Sequence, residues 1–303
     1  MRELREACAV VADRASWVRI QHDRIERYAR SLPIGPAASG AGDDQVKLGD
    51  REQLAAYWLT LDAINFGSGW FPTLRKRDGS SGYATIAGGM RERALGRGPF
   101  SAGELMRIDA ATLAAVLHQD AGHPLMGLFA ASLRDLGTHV AAEYSRSFAA
   151  VVDGAGGSAV ALAGRLGGWG SFADSSRYGE LELPFLKRAQ IAAADLARAG
   201  AARFHDLAAL TMFADNLVPH VLRLDGVLRF DPSLVARIER EELIEHDSPE
   251  EVEIRACALH AVELIVAARA DTCAADVDEL LWRRGGEPRY KASPRHRSRC
   301  TAY

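Results

Sequence analysis

Between Glu251 and Ile265 the chain reads EVEIRACALHAVELI, and apolar residues fall on almost every side of a helix with that spacing. A helix that is apolar all round has to be packed from all sides, so several further elements must surround it. Its start is written just before it. Ser248 is suited to cap, Pro249 to the first helical position, and Glu250 and Glu251 to the first turn. Three polar residues, Glu253, Cys257 and His260, share one side of this helix, and a buried Glu253 requires a partner such as an arginine. A structural ion pair is the expectation there, in preference to catalysis.

Most of the remaining sequence also has helical spacing. Residues 1–32 form a charged amphipathic stretch ending before Pro33, and residues 31–44 are a loop by composition. Residues 51–70 predict a helix running into a glycine-rich turn. Ser101 and Glu104 make a capping box, and Asp109 caps the next helix. Extended structure is expected in two places. TLRKRDGSSGYATIAGG (73–89) has the length and Asp-Gly punctuation of a short hairpin, and LELPF (181–185) is a second short piece. No repeat and no linker divides the chain. The expected architecture is mainly α, one helical domain over 1–303 with a short β-hairpin.

Charge and cysteine usage narrow the function classes. A net charge of −3 and a pI near 6.3 argue against a protein that wraps duplex nucleic acid, whose footprint is basic. The local exception, RYKASPRHRSRC (289–300), reads as a solvated tail. Cys8, Cys257, Cys273 and Cys300 lie far apart without a CxxC pair, so they read as buried thiols and no metal site is expected of them. The first twenty residues do not resemble a secretory leader, and no run of about 18 apolar residues suggests a membrane span. A cytoplasmic address is the expectation.

Several stretches place polar residues where the pattern wants apolar ones. In FHDLAALTMFADNLVPHVL (204–222), Asp215 stands two residues from Phe213 and four before Pro219. It is either a helix-end acid or part of a site. On a regular helix residues two apart point to nearly opposite sides, so a shared site requires irregular backbone there. Val218, preceding a proline, is biased away from helical dihedrals. In FLKRAQIAAADL, Lys187, Gln190, Ile191, Ala194 and Asp195 share one face of an alanine-rich helix. In DVDELLW, Asp276 and Asp278 precede an apolar run and read as helix-start acids. No dinucleotide fingerprint, Walker loop, zinc-protease motif or nucleophile elbow is present.

Taken together, FLKRAQI, LTMFADNLVPHVL, EVEIRACALHAVELI, DELLW and HRSRCTAY, with LDAINFGSGW and Gly82-Tyr83 upstream, resemble the queuosine-salvage family from about Leu54 to the last residue. The resemblance implies hydrolysis of the bond joining queuine, a 7-deazaguanine, to ribose 5-phosphate. It also implies an all-helical core related to that of DNA glycosylases, no metal or organic cofactor, small-molecule partners (queuosine 5′-monophosphate and queuine), no direct nucleic-acid binding and no membrane. By position it assigns base contacts to Phe213 and Asp215, catalysis to Asp278, and phosphate or ribose contacts to Lys187, Arg297 and Tyr303. The stretch before Leu54 departs from the family pattern. Where some members present a histidine near the base, this chain has GDDQVK (42–47). The rival readings are a DNA-type base glycosylase and a non-catalytic carrier of queuine or its nucleotide.

The residue types suit the implied reaction on chemical grounds of their own. Cleaving an N-glycosidic bond develops oxocarbenium charge on the ribose, which a carboxylate beneath the sugar stabilises. A 7-deazaguanine lacks N7, the usual protonation site of a departing guanine, so the base must be activated through its remaining edge. A carboxylate such as Asp215 can accept from both the ring N–H and the exocyclic amine, while Phe213 covers the ring plane.

Overall fold

The computed structural model describes residues 1–33, 46–269 and 271–303, and the statements below concern these. The loop expected at 31–44 and the tract at 42–47 fall largely outside them.

The EVEIRACALHAVELI segment forms the middle of a nineteen-residue helix, Pro249–Ala267, and twelve of its residues are buried. The Ser248 hydroxyl accepts the Glu251 N–H at its start, as its sequence requires. Around it the described chain is mainly helical. It begins with α1 (Arg2–Arg14), β1 (Val18–Ile20) and α2 (His22–Ser31). It continues through α3 (Arg51–Ala63), α4 (Gly82–Arg97), α5 (Ala102–Leu105), α6 (Ala110–Leu117), α7 (Pro124–Glu143), α8 (Phe148–Asp153) and α9 (Ala159–Gly167). Next come β2 (Ser176–Tyr178), β3 (Leu181–Leu183), α10 (Lys187–Arg198), α11 (Leu217–Leu224), β4 (Leu228–Phe230) and α12 (Pro232–Glu239). The long helix is α13, followed by α14 (Ala274–Arg284) and α15 (Pro288–Lys291).

The caps fall where the sequence put them: Ser101 and Glu104 close a capping box on α5, and Asp109 caps α6. The short antiparallel hairpin is β2–β3, in register Ser176↔Leu183 to Tyr178↔Leu181, so LELPF contributes the expected extended piece. Three expectations fail. Residues 73–89 make no hairpin, because the Ser81 hydroxyl accepts the Ala84 N–H at 3.0 Å and starts α4 at Gly82. Residues 1–32 are not one helical stretch. Val18–Ile20 pairs antiparallel with Leu228–Phe230, and the N–H groups of Ser16, Trp17 and Val18 donate to the Glu253 carboxylate. Groups committed to that carboxylate cannot bond to helix carbonyls. The same contacts overturn the arginine expected for Glu253. Its buried charge is met by three backbone N–H groups and the Tyr178 hydroxyl.

Among the described residues two large apolar clusters make up most of the interior, with a small third of Cys300, Ala302 and Tyr303. One gathers Leu59, Leu61, Phe129, Leu133 and Leu162 from α3, α7 and α9; the other gathers Leu4, Val218, Leu259 and Val262 around α13. Residues 210–216 run between them without regular secondary structure. Met212 and Ala214 pack into the α13 cluster, and Phe213 packs into the other.

Candidate active site

The backbone between Leu210 and Asn216 answers the question raised by Phe213 and Asp215. The segment is not helical, so the two-residue spacing does not send the two side chains to opposite sides, and Asp278 meets both: it accepts the Phe213 N–H and lies electrostatically beside Asp215. Pro219 lies at the third position of α11, where its missing N–H would have found no helical acceptor. The proline belongs to a helix start, and Val218 is helical despite preceding it. The segment is fastened by a buried amide–hydroxyl exchange: the Thr211 N–H donates to Gln190 Oε1 at 2.8 Å, and Gln190 Nε2 donates to Thr211 Oγ1 at 2.9 Å. Gln190, on the polar face of α10, therefore holds the site's frame.

Asp278 reaches the segment from α14. It is 5% exposed, and its Oδ1 accepts the Phe213 N–H at 2.9 Å. Burial drives its carboxyl well above the usual range, and neighbouring Asp215 pushes it further; the Phe213 N–H and Lys187 oppose this without cancelling it. Asp276, two residues earlier, is exposed and closes the cap at Cys273. The reading of Asp276 as a helix-start acid holds; Asp278 is buried among charges instead. Trp282, one helical turn beyond Asp278, is 43% exposed and meets Tyr83 edge-to-face at 6.0 Å.

Asp215 uses Oδ1 to accept the Leu217 and Val218 N–H groups at 2.8 and 3.1 Å. It starts α11 and is also a close electrostatic neighbour of Asp278, Lys187 and Arg295. Lys187 is buried at the start of α10. Its Nζ donates to the Asn65 carbonyl at 2.9 Å and to Asn65 Oδ1 at 3.3 Å. Burial lowers its pKa, while Asp215, Asp62 and Asp174 act to keep it charged.

The remaining sequence candidates lie differently. Arg297 pairs with Glu241 at 2.9 Å, and its backbone carbonyl accepts the Ile244 N–H. Tyr303 is buried, with its ring 4.8 Å from the Arg255 guanidinium. Both lie in the 295–303 tail, which is no solvated appendage. Asn216 Nδ2 donates to the His296 carbonyl, and the Gly67 N–H donates to the Tyr303 carbonyl. Sequence reasoning passed over Arg295, which faces Asp215, and Asn65 and Asp62, which flank Lys187. The LDAINFGSGW block contains the last two and was the available signal. A cavity of about 370 Å³ is bounded by Asp174, Leu186, His246 and Thr301 but by none of Phe213, Asp215, Lys187 and Asp278. Convergent polar side chains mark the site.

Residues 46–303 match the family described as queuosine salvage protein. The chain belongs to that family. A Sphaerobacter thermophilus protein named queuosine 5′-phosphate N-glycosylase/hydrolase is 35% identical, with 97% of this chain and 95% of the relative covered. A mouse protein of the same name is 28% identical over 99% of this chain and 98% of its own. One from Dictyostelium discoideum is 30% identical over 83% and 79% respectively. The family match includes every residue of the polar convergence, from Asp62 and Asn65 to Asp278 and Arg295. It begins after α1, β1 and α2, whose role in the fold is to cover α13 and pair with β4. Among the described residues no helix is long and apolar enough to cross a membrane.

Proposed function

We propose that this chain hydrolyses the N-glycosidic bond of queuosine 5′-monophosphate, releasing queuine and ribose 5-phosphate. The observation that carries the reading is the buried Asp278 carboxyl, hydrogen-bonded to the backbone of Phe213 and raised in pKa by its burial and by Asp215. A carboxyl poised in this way can hold or release a proton as the site fills, and in its charged form it stabilises an oxocarbenium ion. Phe213 supplies the stacking face for the 7-deazaguanine. Asp215 receives the base edge chiefly through Oδ2, since Oδ1 already accepts two backbone N–H groups.

The phosphate falls to Lys187 and Arg295. An ammonium has three N–H groups, and Asn65 takes two from Lys187, so the third is left for an anion. Arg297 is committed to Glu241 and Tyr303 to the packing of Arg255, so both support the tail. Incubation with queuosine 5′-monophosphate is expected to yield free queuine and ribose 5-phosphate in equal amounts. Tight binding without release would make the chain a carrier. Release from damaged DNA but not from the nucleotide would make it a DNA-type glycosylase.

Lys187→Ala is expected to weaken the nucleotide far more than the unphosphorylated nucleoside. A hydrogen bond to a charged group is worth about 1.5–3 kcal/mol, so the nucleotide alone should lose roughly tenfold to a hundredfold in kcat/KM. Equal losses on both substrates would return Lys187 to a structural role.

A further inference from the structure

Lys187 is placed through its backbone as well as through its side chain. The residue before it, Leu186, lies in the left-handed region with φ 51°. A leucine holds that conformation only where its surroundings fix it. Asp174 does the fixing. Its carbonyl accepts the Leu186 N–H at 3.1 Å, and its Oδ2 accepts the Lys187 N–H at 2.9 Å. N–H groups at a helix start need acceptors, and the leucine at the cap position of α10 offers no side-chain oxygen. The same carboxylate receives Arg255 Nη2 through both oxygens at 2.8 Å, and Arg255 Nε donates to the Ala214 carbonyl at 3.0 Å. Ala214 stands between Phe213 and Asp215. An unbroken chain of buried hydrogen bonds therefore joins the start of α10 to the segment that carries the base contacts. Asp174 and Arg255 are its middle members, 4% and 0% exposed.

We propose that Asp174 is a positioning residue for the reaction: gripped by Arg255, it fixes the start of α10, and Lys187 with it, relative to Phe213 and Asp215, so that one nucleotide meets the phosphate and base contacts together. The inference rests on the reading of Lys187 as a phosphate contact and of Phe213 and Asp215 as base contacts. Asp174 itself has no part in binding, because both of its oxygens are committed to protein donors. The phosphate is remote from the bond that breaks. Its binding energy aids the chemistry only by holding the ribose in place over Asp278. A displacement of about 1 Å in such an anchor can cost roughly 10²-fold in rate.

The consequence is selective for the phosphate. Asp174→Asn keeps the shape and one acceptor oxygen, so it cannot serve Arg255 and the Lys187 N–H as the carboxylate does, while Arg255 Nε keeps its bond to Ala214. Lys187 then loses its fixed seat, and kcat/KM for the nucleotide should fall roughly tenfold to a hundredfold, with kcat carrying part of the loss. The unphosphorylated nucleoside, which makes no use of Lys187, should lose little. Lys187→Ala shares this selectivity, and the double variant should be hardly worse than Lys187→Ala alone, since Asp174 acts through the lysine. A merely structural role predicts equal fractional losses on both substrates and additive losses in the double variant.

The test is read on the lysine as well as on activity. The chain has four lysines, Lys47, Lys76, Lys187 and Lys291, and all but Lys187 are exposed. Protein carrying 13C-labelled lysine therefore gives few Cε signals, and Lys187→Arg assigns the relevant one. That signal is expected to move toward the exposed lysines in Asp174→Asn and in Asp174→Glu. The glutamate keeps the charge against Arg255, and its extra methylene has room in the bordering cavity of about 370 Å³, so it decides where Asp174→Asn fails to fold. If Lys187→Ala abolishes the preference for the nucleotide and the folded Asp174 variants keep it, the proposal is overturned and the phosphate reading stands. If Lys187→Ala leaves that preference intact, the phosphate reading falls. The Lys187 signal then decides alone, and an unmoved signal in the Asp174 variants ends the positioning role too.

Discussion

Asp278→Asn is expected to bind the nucleotide and to be nearly unable to cleave it. Loss of a catalytic acid–base group typically costs about 10²–10⁴ in rate, and a group that also stabilises transition-state charge reaches the upper part of that range. The substitution is nearly isosteric, and the amide oxygen can still accept the Phe213 N–H, so the segment between the two clusters keeps its seat. The loss should appear in kcat, with nucleotide affinity by calorimetry largely retained, because the interaction removed belongs to the transition state. Asp276→Asn is the control on the same helix. Its side chain is exposed and bonds the Cys273 N–H, so its effect is confined to capping, roughly 1 kcal/mol or less of stability, with the rate near normal. Normal cleavage by Asp278→Asn would move the search to the other buried carboxyls, Asp195 first.

Asp278 also has a pH signature. Its pKa is raised, so as pH rises the unfolded chain gives up this proton before the folded protein does, and that difference favours unfolding. The destabilisation is therefore absent below the ordinary carboxylate range and grows as pH rises through it. In Asp278→Asn this penalty is gone, so the variant should resist denaturation at least as well as the parent at neutral pH. A gain in stability with a loss of activity is what distinguishes a strained catalytic carboxyl from a structural one.

The helices were legible because their signals are local. Ser101 with Glu104, Asp109 and Ser248 before Pro249 each identify a start within four residues of sequence, and each start is observed. The failures trace to partners distant in the chain. Ser16 to Val18 leave the helical pattern because Glu253, more than 230 residues later, takes their N–H groups. The Asp-Gly pair at 78–79 has the punctuation of a hairpin, yet the Ser81 cap turns the following residues into α4. At the site, Phe213, Asp215, Lys187 and Asp278 were readable as polar or aromatic breaks in apolar stretches, and all four meet around residues 210–216. Arg295 was hidden in a tract whose composition suggests a solvated tail, and Asp62 in a helix whose apolar character gave it no contrast. Only packing of α3 on α10 reveals the second of these.

The largest stability effect is expected at Arg255. Its side chain is fully buried at the centre of α13, where Nη2 donates to both carboxylate oxygens of Asp174 at 2.8 Å and Nε donates to the Ala214 carbonyl at 3.0 Å. The guanidinium also lies 4.0 Å from the Phe185 ring centroid and 3.6 Å from Glu251 Oε1. Removing one partner of a buried pair strands the others, at a cost of about 3–5 kcal/mol. Arg255→Met keeps the volume and the apolar stem but leaves Asp174 and Glu251 as buried carboxylates. Denaturation midpoints should fall accordingly at pH 7, and the Ala214 carbonyl, released between Phe213 and Asp215, should loosen the site as well. The loss has a defined pH dependence. Burial pushes Glu251 up, but Arg255 and His246 together hold its pKa down to about 2. A depressed carboxylate contributes stability above its unfolded pKa of about 4.3 and loses it as pH falls through the folded value. Without Arg255 the stranded Glu251 takes up a proton at higher pH, so the variant sheds part of its penalty on acidification just where the parent loses part of its advantage. The stability gap between parent and Arg255→Met should therefore be widest near neutrality and shrink as pH falls from about 4 toward 2. A gap of the same size at both ends would mean that Arg255 acts through packing on Phe185 and Tyr303, with its charge contributing little.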